Sequence, residues 1–167
     1  MESFELCKYL GVWYELAHYP SWFQRNDNYN TMAEYTLNTD GTVHVHNSTI
    51  SNGSPFDSHG MAQYLSGTSF RVDFPIPEVA KLEQSKQFNV GLNNFDQRSD
   101  GPNYVIEKIW TNCYGQYIFA IVTDPQHDSL YILSRYSRPS LIAYNEIIQY
   151  VIQHFDRDRL VQTPHYE

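Results

Sequence analysis

The tightest constraint on this chain is a pair of alternating runs, Met32 to Leu37 and Val43 to Ile50, that flank Asn38-Thr39-Asp40-Gly41. Alternation sends successive side chains to opposite faces of a strand. An Asp-Gly step between two such runs is a strong hairpin signal, because glycine accepts the positive φ of a tight turn. The same reading finds β-type runs at Trp13 to Tyr19, Phe56 to Leu65, Ser69 to Phe74, Tyr104 to Trp110, Tyr117 to Thr123 and Leu130 to Ser134. Turn-forming clusters such as Ser51-Asn52-Gly53-Ser54-Pro55 and Ser66-Gly67-Thr68 separate them. Eight runs in succession, joined mostly by short turns, predict an all-β fold: an eight-stranded antiparallel up-and-down barrel.

Two segments break the pattern. After Arg138-Pro139-Ser140, apolar residues at Leu141, Ile142, Ile147, Ile148, Val151, Ile152 and Phe155 predict one C-terminal α-helix packed outside the barrel. The long irregular stretch from Pro75 to Pro102 contains a helical candidate at Glu78 to Gln87. A connection of that length in a compact domain is expected to be a functional flap at the barrel's open end, gating ligand passage.

A length of 167 residues suits one domain spanning residues 1–167. Eleven Lys plus Arg against 19 Asp plus Glu give a net charge of −8, and no basic stripe is present to neutralise phosphates. Nucleic acid is therefore excluded as a partner, and any membrane contact is expected to be apolar and transient. No apolar run is long enough to span a bilayer. Met1-Glu2-Ser3-Phe4-Glu5-Leu6-Cys7 is acidic and lacks an apolar segment, so no signal peptide is expected in this stretch. That implies a cytoplasmic protein if Met1 is the native start, and a secreted or periplasmic one if the chain is a mature domain.

The string Tyr9-Leu10-Gly11-Val12-Trp13-Tyr14-Glu15-Leu16-Ala17 resembles the Gly-x-Trp opening of the lipocalin family. Ala33-Glu34-Tyr35-Thr36-Leu37 with Asp40-Gly41-Thr42-Val43, then Thr123-Asp124, then Leu130-Tyr131-Ile132-Leu133-Ser134-Arg135 are similar to further motifs of that family in the same order. The branch most resembled holds the bacterial outer-membrane lipocalins, plant temperature-induced lipocalins and apolipoprotein D. The resemblance implies that Trp13 crosses the closed floor of the barrel with Arg135 stacked on its indole, and that Trp13, Arg135, Thr123 and Asp124 are structural. The long Pro75 to Pro102 segment is the main departure.

With Trp13 and Arg135 taken as inward, counting by twos places Glu15, Ala17, Tyr131 and Leu133 inside. Alignment to the family pattern adds Ala33, Tyr35, Val43, Val45, Asn47, Ala62, Phe70, Val72, Phe74, Tyr104, Ile106, Ile118 and Ala120. Tyr35, Tyr104 and Tyr131 are candidates to bind a carboxylate or phosphate near the mouth, and Lys108 has inward parity. Apolar walls with a few polar groups are the composition of a ligand pocket, against the alternative of a barrel simply filled by its own side chains.

His44 and His46 share one face of a strand with His59 on the next, a pattern compatible with a surface metal site. Parity points them outward, so solvated histidines, and no metal, are the expectation. In the meander Cys7 and Cys113 fall at the same end, leaving open either a disulfide or two free thiols. Neither is placed as a nucleophile inside the barrel, and no Gly-rich phosphate loop or Gly-x-Ser-x-Gly elbow occurs, so no enzyme activity and no cofactor are expected. The function implied is binding, transport or storage of a small hydrophobic ligand, a fatty acid, lysophospholipid or similar lipid, by a monomer or weak dimer. The alternatives are a carrier of retinoid, carotenoid or tetrapyrrole and a lipid-modifying enzyme.

Overall fold

The computed structural model describes residues 3–21, 24–74 and 101–167. Most of the Pro75 to Pro102 segment, including Glu78 to Gln87, lies outside the described residues. A four-residue helix α1 (Leu6–Tyr9) precedes the strands β1 (Gly11–His18), β2 (Tyr29–Leu37), β3 (Val43–Ser51), β4 (Ser54–Ser66), β5 (Ser69–Asp73), β6 (Tyr104–Thr111), β7 (Tyr117–Thr123) and β8 (Leu130–Ser134). Helix α2 (Leu141–His154), a 3-10 turn (Arg157–Arg159) and a two-residue strand β9 (Val161–Gln162) follow.

Each strand from β1 to β8 pairs antiparallel with the next, and β8 returns to β1, so the eight-stranded sheet closes. The closure is shared. Gly11 to Tyr14 of β1 pair with β2, whereas Ala17 and His18 pair with β9. Where β1 and β2 diverge, the C-terminal segment fills the gap: Asn30 N–H donates to the Pro164 carbonyl at 2.9 Å and Thr163 N–H to the Leu16 carbonyl at 2.9 Å. The backbone groups that the divergence would otherwise leave unpaired are thereby satisfied.

Two apolar clusters divide the core. One fills the barrel and includes Trp13, Tyr35, Val43, Val45, Phe70, Ile106, Ala120 and Leu133. The other lies between the barrel's outer wall and α2, joining Leu16, Ala17, Phe119, Ile121 and Ile132 to Ile147, Ile148 and Val151. Ser140 caps α2, its hydroxyl accepting from Ala143 N–H at 3.2 Å. The helix buries only the middle of its apolar stripe. Leu141 and Ile142 are 73% and 78% exposed, because the helix meets the barrel through Ala143, Tyr144, Ile147, Ile148 and Val151 and these two positions lie off that face.

Ala17 and Ile118, expected inside the barrel, and Lys108, which has inward parity, face outward, and each lies at or just beyond a β-bulge. An extra residue in one strand reverses the parity of everything beyond it. The bulge between Glu15 and Ala17 turns Ala17 to the helix side. The irregularity between Ile106 and Lys108 sets Lys108 opposite the outward Ile121, with its ammonium 5.7 Å from the Trp110 ring and 6.0 Å from the Tyr150 ring. Ile118 sits at the irregularity between the Trp110 and Thr111 pairings and packs with the helix-side cluster.

Candidate functional site

The barrel interior is built in layers from its closed end. At the floor, the Arg135 guanidinium lies 3.8 Å from the Trp13 ring centroid. It donates to the carbonyls of Val12 (2.7 Å), Leu10 (2.8 Å), Lys8 (3.0 Å) and Tyr117 (3.2 Å). Trp13 Nε1 donates to the Tyr9 carbonyl at 2.7 Å, so α1 is held under the barrel by its own unsatisfied carbonyls. Phe4 packs beside it within 6.4 Å of the rings of Tyr9, Tyr64, Phe70 and Tyr117.

Above the floor stands a layer of tyrosines. The Tyr104 hydroxyl bonds to the Tyr35 hydroxyl at 2.8 Å and to the Tyr9 hydroxyl. Burial holds all three phenols above the usual range, so they stay protonated. Tyr9 and Tyr35 also interact with each other, so the three hydroxyls form one polar cluster enclosed by apolar walls. Leu6, Val43, Ala62, Phe70 and Val72 complete the walls around a cavity of about 10 Å³, room for roughly one water molecule. At this level the barrel is packed by its own side chains.

Toward the opposite end the lining changes. Val45, Ile106 and Ala120 belong to the barrel cluster, and Phe74 packs against it. Asn47 lies opposite Ala33 in the β2–β3 pairing and so shares its inward face. Glu15, opposite Leu133, and His18, opposite Tyr131, bring a polar group into the wall. Glu15 is 4% exposed and accepts from Thr163 Oγ1 at 2.6 Å and Gln24 Nε2 at 3.0 Å. Burial raises its carboxyl above the usual range, opposed by His18, Thr163 and Gln24. Tyr131 is raised as well, by burial and by Glu15. At the same end Asp124 accepts from Gln126, Asp128 and Ser129 N–H groups, and Thr123 Oγ1 donates to the Ser129 carbonyl at 2.6 Å, which fixes the β7–β8 turn.

The structure therefore brings Tyr35, Val45, Asn47, Ala62, Phe70, Val72, Phe74, Tyr104, Ile106, Ala120 and Tyr131 together and leaves Ile118 out. Tyr35 and Tyr104 sit deep beside Tyr9 rather than near the mouth, because strand stagger lets Tyr104 reach down to α1. Sequence reasoning missed Tyr9, His18 and the partners Gln24 and Thr163. His18 needs the β1 bulge to turn inward, and Thr163 needs the C-terminal segment to be threaded beside β1. Cys7 and Cys113 are both free and exposed. Lys8 of α1 places its ammonium 5.8 Å from the Tyr117 ring at the start of β7.

The lipocalin-like domain description matches residues 4–165. Temperature-induced lipocalin-1 of Arabidopsis thaliana is 30% identical over 158 residues, covering 94% of this chain and 77% of that protein. Among solved structures, the allergen Per a 4 from cockroaches superposes with a TM-score of 0.63 at 15% identity, covering 98% of this chain and 89% of the other. Lobster apocrustacyanin A1 gives 0.62 at 17% identity, with 96% and 79% covered. Closed barrel, flanking helix, Arg135 on Trp13 and the family match over nearly the whole chain agree, and the protein belongs to the lipocalin family.

Proposed function

We propose that the barrel binds a small hydrophobic ligand bearing one hydrogen-bond-accepting head group, a fatty acid or related lipid, for transport or storage. The observation that carries this reading is the buried Tyr9–Tyr35–Tyr104 group: three protonated phenol hydroxyls clustered in an otherwise apolar wall can turn a donor toward a carboxylate or carbonyl oxygen. The acyl chain would then run toward the opposite end along Val45, Val72, Ile106 and Ala120, each buried methylene contributing about 0.8 kcal/mol. The small volume beside the tyrosines means that the head displaces a side chain, and Leu6 of α1 is the candidate, since it contributes to the wall and comes from a short helix.

A ring-rich wall of Tyr9, Tyr35, Phe70 and Tyr104 also favours a second reading, a planar isoprenoid or pigment. With both cysteines exposed, a barrel-thiol enzyme mechanism has no nucleophile, which supports binding over catalysis. The experiment is native mass spectrometry of the purified protein beside a solvent-extracted sample, followed by titration with a long-chain fatty acid. A bound lipid, or uptake weakened about tenfold by Tyr104→Phe, supports the first reading, and a coloured extract the second. A single unliganded mass that no fatty acid shifts means a filled core and overturns both.

A further inference from the structure

On the outer face of the barrel, β3 and β4 place His46 directly opposite His59, with Asp57 and His44 on the two diagonals. His46 Nε2 is 3.0 Å from Asp57 Oδ2, and His59 Nε2 is 3.5 Å from the same oxygen. The three donor atoms lie within 4.8 Å of one another. His44 Nε2 stands 3.0 Å from His59 Nδ1. The barrel's ligand reading plays no part in this face, because these side chains point away from the interior.

We propose that His46, His59 and Asp57 form a binding site for a divalent transition-metal ion, with Zn²⁺ as the reference case. Imidazole and carboxylate are ligands this ion takes, at about 2.0–2.2 Å, and a tetrahedron of that size has donor-to-donor edges of roughly 3.3–3.5 Å. The observed 3.0 and 3.5 Å separations bracket that edge. The His46 and His59 rings are stacked at 4.2 Å and 4°, so chelation swings them out of the stack until their Nε2 lone pairs converge. The His46, Asp57 and His59 side chains are 32%, 58% and 55% exposed, so the rotation opens toward solvent, and His44, stacked on His59 at 5.1 Å and 15°, has to move with it. His44 is the positioning residue. In the tautomer in which His44 Nε2 accepts the Nδ1 proton of His59, the His59 Nε2 is left free for the metal. Three protein ligands leave a fourth position for water or an outside donor, and the net charge of −8 raises the local concentration of cations.

The test is titration of EDTA-treated protein with Zn²⁺ alone in a non-chelating buffer at pH 7.5, read by competition with a chromophoric indicator. Far-UV circular dichroism melts confirm that each variant is folded. One equivalent is expected to bind. His46→Gln, His59→Gln and Asp57→Asn should each weaken affinity at least tenfold, His44→Ala by about tenfold, and the distant His154→Gln not at all. The proposal is overturned if no Zn²⁺ is taken up, or if the His46→Gln/His59→Gln double variant retains one equivalent at parental affinity.

Discussion

The Arg135 guanidinium lies over the Trp13 indole, 3.8 Å from the ring centroid, while its nitrogens hold carbonyls on β1, on the segment that leads into it and on β7. One planar cation thus closes the floor and ties the two chain ends of the barrel together. Arg135→Lys keeps the charge but loses the fork and the stacking surface, leaving buried carbonyls unpaired. We expect a loss of roughly 2–3 kcal/mol in urea denaturation. A variant as stable as the parent would show that water replaces the guanidinium at no cost.

The tyrosine layer makes a graded prediction. Tyr104→Phe removes the hydroxyl bonded at short range to both neighbours, whereas Tyr35→Phe leaves the Tyr9–Tyr104 bond intact. Tyr104→Phe should cost about 1–3 kcal/mol, and more than Tyr35→Phe. Equal costs from thermal melts of both variants would mean that the hydroxyls act independently.

Glu15 gives a pH dependence of unusual sign. Burial raises its carboxyl in the folded protein, so between the ordinary carboxyl range and the raised value the native state binds more protons than the unfolded chain. Its contribution is therefore present at acid pH and lost as pH rises through that window. Glu15→Gln removes the titration and keeps acceptor capacity for Thr163. The stability of Glu15→Gln relative to the parent should rise from pH 4.5 to pH 7, measured by denaturant midpoints at each pH. A relative stability that falls over that range would reverse the assignment.

Helix α2 separates buried from exposed apolar positions. Ile147 is fully buried against the barrel wall and Leu141 is 73% exposed. Ile147→Ala should cost about 2–5 kcal/mol, and Leu141→Ser should stay within roughly 0.5 kcal/mol. A large loss at Leu141 would show that its end of the helix is covered in solution.

By itself the sequence determined the strand succession, the hairpin at Asp40-Gly41 and the external helix, and its resemblance to the lipocalin motifs implied the pairing of Trp13 with Arg135. Each rests on a local period, a turn residue or a contiguous motif. Tertiary structure alone decided the rest. Ala17, Lys108 and Ile118 face outward because bulges in β1, β6 and β7 shift parity, and a bulge is set by how neighbouring strands must twist to close a barrel. Tyr9, Tyr35 and Tyr104 meet because strand stagger brings distant residues to one depth, and Glu15 finds Thr163 because the chain's last strand occupies the gap between β1 and β2. The outer histidines show both sides of this division: alternation predicted which way they point, and only the β3–β4 register could set Asp57 between His46 and His59.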